Sequence, residues 1–150
     1  MVGLLDAASR LGLTDAEAVR MESLRTTANE QLARIAASQA RFAESTGDLE
    51  SALRHTEQAC KFGPQNGDHW EMRARFLLRM GRDLHQARDA AMRAIQLSPK
   101  VVGYRTTMIR VYLVAGLPKN ARREAEAALE LEPRDRQLKA LLEEAKAAME

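Results

Sequence analysis

Small and apolar residues recur at helical spacing along almost the whole chain, and glycines and prolines interrupt them at regular intervals. The segment from Gly81 to Pro99, GRDLHQARDAAMRAIQLSP, shows the unit. A glycine ends one helix, a second helix carries Ala87, Ala91 and Ala94 on one face, and a proline stops it. The same arrangement runs from Gly47 to Pro64 and from Gly116 to Pro133. Pro64, Pro99 and Pro133 lie 35 and 34 residues apart. A period of that size with a helical pattern inside it predicts a stacked array of helix pairs.

The punctuation places the elements. Helices are predicted over 30–45, 49–62, 67–80, 84–97, 101–115, 119–131 and 136–149. Gly47, Gly81 and Gly116 supply the positive φ that helix C-termini favour, and Pro118 sits near a helix start, where its missing N–H costs nothing. Asp135 caps the last helix, whose apolar face (Leu138, Leu141, Leu142, Ala145, Met149) backs onto a charged one and suits a terminal lid.

Upstream, residues 1–12 form a short amphipathic helix through Leu4, Leu5, Ala8 and Leu11, stopped at Gly12. Thr14 and Glu17 make a capping box that opens the next helix. One reading continues it from Asp15 to about Glu44, with an apolar seam of Met21, Leu24, Ala28, Leu32, Ile35 and Phe42. The other breaks it near Thr26–Thr27, where Thr27 and Glu30 make a second capping box. The break is favoured, because ~30 residues exceeds the usual globular helix. The chain thus divides into residues 1–29, a helical extension or degenerate repeat, and 30–150, the array.

These residues resemble the tetratricopeptide repeat family, a 34-residue helix–turn–helix unit. With the proline as thirty-second position, the small residue opening the second helix is Ala52, Ala87 and Ala121, and the later small residue is Ala59, Ala94 and Ala128. The middle site of that helix is Thr56, Ala91 and Ala125. In the first helix, the site where the family prefers Trp holds Ala36, Trp70 and Arg105. The small site holds Ala40, Ala74 and Ile109, and the aromatic site Ala43, Leu77 and Tyr112. The second repeat carries one extra residue between Gly81 and Ala87. The resemblance implies an all-α, right-handed α-solenoid with repeats at about 33–66, 67–101 and 102–135 and a capping helix at 136–149.

Composition narrows the function classes. A net charge of +2 spread over 150 residues supports no bulk attraction to nucleic acid or membrane. The 18 Arg against 5 Lys, with much Ala, point to a GC-rich, bacterial source. The single cysteine, Cys60, excludes an intramolecular disulfide and fits a reducing compartment. No run reaches the ~18 apolar residues of a membrane span, and the opening residues lack a signal-peptide core, so a cytoplasmic protein is expected. His55, His69 and His85 are single and widely spaced, so no metal is expected. No phosphate loop or nucleophile arrangement occurs, so neither cofactor nor enzymatic activity is expected.

In the family, the first helices of successive repeats line a concave groove. The resemblance implies that its ninth site is Arg41, Arg75 and Arg110, an arginine in all three repeats. Arg34, Met72, Arg79 and Thr107 are further groove residues on the same basis. A ladder of guanidinium groups suits carboxylates, because each offers two parallel N–H donors. The expected function is a non-catalytic protein–protein interaction module holding a peptide or partner helix, with an acidic segment as the preferred ligand. The alternatives are self-association as a homodimer or larger oligomer, and service as the repeat part of a longer protein such as a J-domain co-chaperone or a kinase. Internal pairing of the arginines with Glu44, Asp68 and Glu71 is the competing account of the ladder. RNA binding is disfavoured, because the groove has no aromatic stacking groups. The family's pattern for the acidic tails of heat-shock chaperones is absent: its sites hold Ala37, Arg41, Met72, Gly103 and Thr107.

Overall fold

Helix follows helix through the computed structural model, which describes residues 2–150. Met1 and the side chains of Val2, Leu4 and Leu5 lie outside the described residues, and with them the predicted contribution of Leu4 and Leu5. Eight helices are found among the described residues: α1 (Val2–Arg10), α2 (Asp15–Ser45), α3 (Leu49–Phe62), α4 (Gly67–Met80), α5 (Leu84–Leu97), α6 (Val102–Val114), α7 (Pro118–Leu131) and α8 (Arg136–Ala147). α3, α5 and α7 pair with α2, α4 and α6 respectively, and α8 closes the stack against α7 and α6.

Helix ends follow local chemistry. The Thr14–Glu17 capping box opens α2, and Asp48, Asn66 and Asp135 accept backbone N–H groups at the starts of α3, α4 and α8. Gly47, Gly81 and Gly116 adopt φ values of 81°, 65° and 71°. The extra residue of the second repeat is absorbed by Asp83, a non-glycine residue at φ 50° that makes no side-chain cap bond. An L side chain is strained there, by about 1 kcal/mol, more than glycine's added freedom costs in the unfolded chain. Asp83→Gly is therefore expected to stabilise by about 0.5 kcal/mol and raise Tm by 1–2 °C; thermal unfolding followed by circular dichroism checks it.

The core is made by close approach. The four sets of small-site residues, Ala40/Ala74/Ile109, Ala52/Ala87/Ala121, Thr56/Ala91/Ala125 and Ala59/Ala94/Ala128, are all 0% exposed. Small side chains let the axes come together, so backbone and methyl groups fill the interior. Thr56 satisfies its buried hydroxyl by donating to the Ala52 carbonyl at 2.8 Å. Trp70 Nε1 donates to the Pro64 carbonyl, and Arg105 Nε donates to Pro99 in the equivalent place one repeat later. Arginine thus stands in for tryptophan through its N–H, and Glu124 pairs with its charge.

Two expectations for α2 are corrected. The helix is continuous over 31 residues, and Thr26 and Thr27 cause no break. Their hydroxyls donate back to the carbonyls of Glu22 and Ser23, at 2.9 and 3.0 Å, so they stay helical instead of capping a new helix. The inward face is also different. α2 buries Ala18, Ala33, Ala36, Ala37, Ala40 and Ala43, while Met21, Leu24, Leu32, Ile35 and Phe42 are exposed. Alanines win the core side because α3 presses its own Ala52 and Ala59 there. In α8, Leu138, Leu141 and Ala145 are buried as a lid, but Met149 lies beyond the helix and is exposed.

Candidate functional site

The inner face is formed by α2, α4 and α6, and polar side chains tie these helices together. Glu44 on α2 accepts from both Arg75 and Arg79 of α4, the latter at 2.7 Å. Arg75 Nε lies 3.4 Å from Glu71, one turn earlier on its own helix. Glu71 in turn accepts the hydroxyl of Thr107 on α6 at 2.8 Å. Beside it, Tyr104 donates its hydroxyl to Asp68. Burial, aided by that hydrogen bond and the negative charge of Asp68, holds the Tyr104 phenol above its ordinary pKa of 10.0.

This arrangement sorts the predicted site residues. Arg75 and Arg79 are largely neutralised by Glu44 and Glu71, so the ladder is broken at its middle rung. Thr107 is buried, with its hydroxyl committed to Glu71. Met72 is a correction: it is 4% exposed and packs in the core with Phe76 and Leu77, so it presents nothing to a ligand. Helical rotation explains this, because Met72 falls between the two faces of α4 and the α2 alanines take up its side chain. Arg34, Arg41 and Arg110 remain exposed and make no ion pair among the described residues. Arg34 and Arg41 lie seven residues apart on α2, two turns along one face. Arg34 also lines an open cleft of about 810 Å³ between α2, the α3–α4 loop and α6, together with Glu30, Asn66, Asp68 and Tyr104.

Other candidate chemistry falls outside this face. Cys60 is buried on α3, and burial, opposed by nearby Arg73, pushes its thiol up to about 12. It is no nucleophile at neutral pH. His69 is buried and its Nδ1 lies 3.1 Å from the Gly63 carbonyl, a structural bond. Among the described residues, no group of three His, Cys, Asp or Glu side chains could hold a metal ion, and no helix is long and apolar enough to cross a membrane.

The paired acids were legible in part. Glu44, Asp68 and Glu71 meet partners 31 to 36 residues away, close to one repeat length. The internal pairing expected for Glu44 and Glu71 is found, whereas Asp68 meets the Tyr104 hydroxyl instead of an arginine.

The sequence matches no family model and no curated protein. Solved structures share the fold. The Arabidopsis OM64 TPR domain superposes with a TM-score of 0.74 at 18% identity, covering 79% of this chain and 98% of that one. The first TPR of Spaghetti (RPAP3), bound to the HSP90 peptide SRMEEVD, gives 0.76 at 18% identity, covering 80% and 94%. The TPR2B domain of yeast Sti1, in complex with an Hsp70 peptide, gives 0.72 at 17% identity, covering 78% and 98%. The tetratricopeptide-repeat solenoid expected from the sequence is therefore the fold of this chain.

Proposed function

We propose that this protein is a non-catalytic peptide-binding module whose inner groove takes an acidic segment. The observation that carries the reading is the set of three exposed, unpaired arginines, Arg34, Arg41 and Arg110, flanking a cluster whose own charges are already matched. An incoming carboxylate can pair with them without displacing a native partner. The 810 Å³ cleft beside Arg34 offers room for a side chain or chain end. Structural relatives include peptide-bound TPR domains, which supports a peptide as the ligand class. Ala37, Met72 and Thr107 are buried, so recognition has to differ from the chaperone-tail pattern.

The binding site moves from the ladder's middle to its ends. Arg75 holds α4 to α2, and its charge reversal acts on stability, whereas Arg41 and Arg110 are free to act on ligand. Fluorescence anisotropy with a panel of acidic and neutralised C-terminal peptides tests this. Acidic peptides are expected to bind, with affinity that falls as salt rises. Arg41→Glu with Arg110→Glu is expected to weaken that binding by at least about tenfold while leaving helicity unchanged. Equal binding by wild type and double variant sinks the assignment.

A further inference from the structure

The apolar residues that α2 turns away from the core form a line. Met21, Leu24, Leu32, Ile35 and Phe42 are 43% to 70% exposed, and Ala28 lies among them. Positions 21, 24, 28, 32, 35, 39 and 42 advance by 3.5 residues on average, with Gln39 the single polar member and no charge in the line. A 3.5-residue period is that of a coiled-coil seam, in which two helices keep one stripe in continuous contact. Single exposed apolar side chains are ordinary, but an aligned stripe of this length on one helix is not.

We propose that this seam pairs with the same seam of a second copy, as an antiparallel coiled coil centred on Ala28. A twofold axis there sets Met21 opposite Ile35 and Leu24 opposite Leu32 of the other copy, and the small Ala28 lets the helices close at the middle. Charge selects the direction. A parallel pair brings Arg20 of one copy against Arg25 of the other across the seam, whereas the antiparallel pair sets them beside the uncharged Ser38 and Leu32. Area supports the occupant. The five large side chains expose on the order of 500 Å² per copy, four of them facing each other and Phe42 at the outer end beside the Thr14 end of the other α2, so the pair buries at most roughly 1,000 Å², the lower bound for a specific interface. The N-terminal half of α2 extends past α3, whose C-terminal Gly63 sits against Ala33, and α1 packs on α2, where Ala8 of α1 and Ala18 on the alanine side of α2 are buried. The seam is therefore open, and it is separate from the inner groove. The dimer carries two free grooves, which suits a partner with two binding segments.

Sedimentation velocity over about 1–200 µM protein reads the result. The expected outcome is a rise from 16.7 kDa toward twice that mass. Leu24→Glu with Ile35→Glu should stay at 16.7 kDa with unchanged circular dichroism. Ile35→Gln alone serves if the double variant loses helicity, with the same expected loss of dimer. A monomer at every concentration overturns the proposal, and so does a dimer that survives these variants. Mild oxidation of a mixture of Leu24→Cys and Leu32→Cys is expected to give an interchain disulfide that neither variant gives alone. Linkage of Leu24→Cys to itself overturns the antiparallel arrangement. Cys60 is buried and stays silent in this experiment.

Discussion

Phe76→Ala is expected to destabilise the protein by about 5 kcal/mol, the upper end of the ~3–5 kcal/mol range for a buried aromatic. Phe76 is 0% exposed in a cluster built mainly by α2, α3 and α4, to which Ala87 of α5 and Val111 of α6 also belong. Most of its neighbours there are alanines: Ala36, Ala37, Ala40, Ala43, Ala52 and Ala59. A methyl group has no torsion by which to swing into a void, and the helices that carry these methyls are already at close approach. The cavity therefore stays open and its lining loses dispersion contacts outright. Such a loss is a large part of the ~5–15 kcal/mol that a domain has. Because each repeat touches only its neighbours, the α2–α4 end is expected to unfold at lower urea than the α6–α8 end, broadening the transition. Urea unfolding followed by circular dichroism reads both effects. A loss below about 1 kcal/mol would mean that the cluster collapses around the void.

Alkaline pH provides the second large effect. Burial raises the Cys60 thiol to about 12, while an unfolded cysteine titrates near ~8.5. The folded state thus holds a proton that the unfolded chain releases. The stability linked to it is complete below about pH 8.5 and is lost as pH rises toward about 12. From about pH 7.5 to 10 the loss amounts to about 2 kcal/mol. Tyr104 acts in the same direction, but only above about pH 10, where an unfolded phenol ionises, so the lower window belongs to Cys60. Denaturant unfolding of the wild type at pH 7.5, 8.5 and 10, set against Cys60→Ala, isolates the term. The difference in stability between the two proteins should shrink by about 2 kcal/mol across the window; a pH-independent difference would show that the thiol meets water in the folded state.

The repeat, the bounds of its helices from α3 onward and its fully buried small sites were readable from the sequence, because they are local or periodic, whereas the start of the first repeat's first helix was not. A glycine at a helix C-terminus needs only its own backbone angle, and an alanine where two axes cross is demanded in every repeat. Phe76 was less visible. The repeat pattern singles out its neighbour Leu77, and burial of both depends on how α4 rotates against α2 and α3. The inner-face arginines were named from the pattern, yet the pattern could not say which were free. Glu44 reaches Arg75 and Arg79 only because stacking sets α2 against α4, and their sequence separation is a whole repeat.

By itself, then, the sequence determined an all-α solenoid of three repeats with a capping helix, since recurring small residues and helix stops leave one way to bury the apolar faces. Tertiary structure alone decided which face of α2 looks inward. Two faces compete on that helix, and α3 accepts the alanine face because its own alanines allow contact only with small side chains. That choice leaves the larger apolar side chains on the outside, in line and unpartnered.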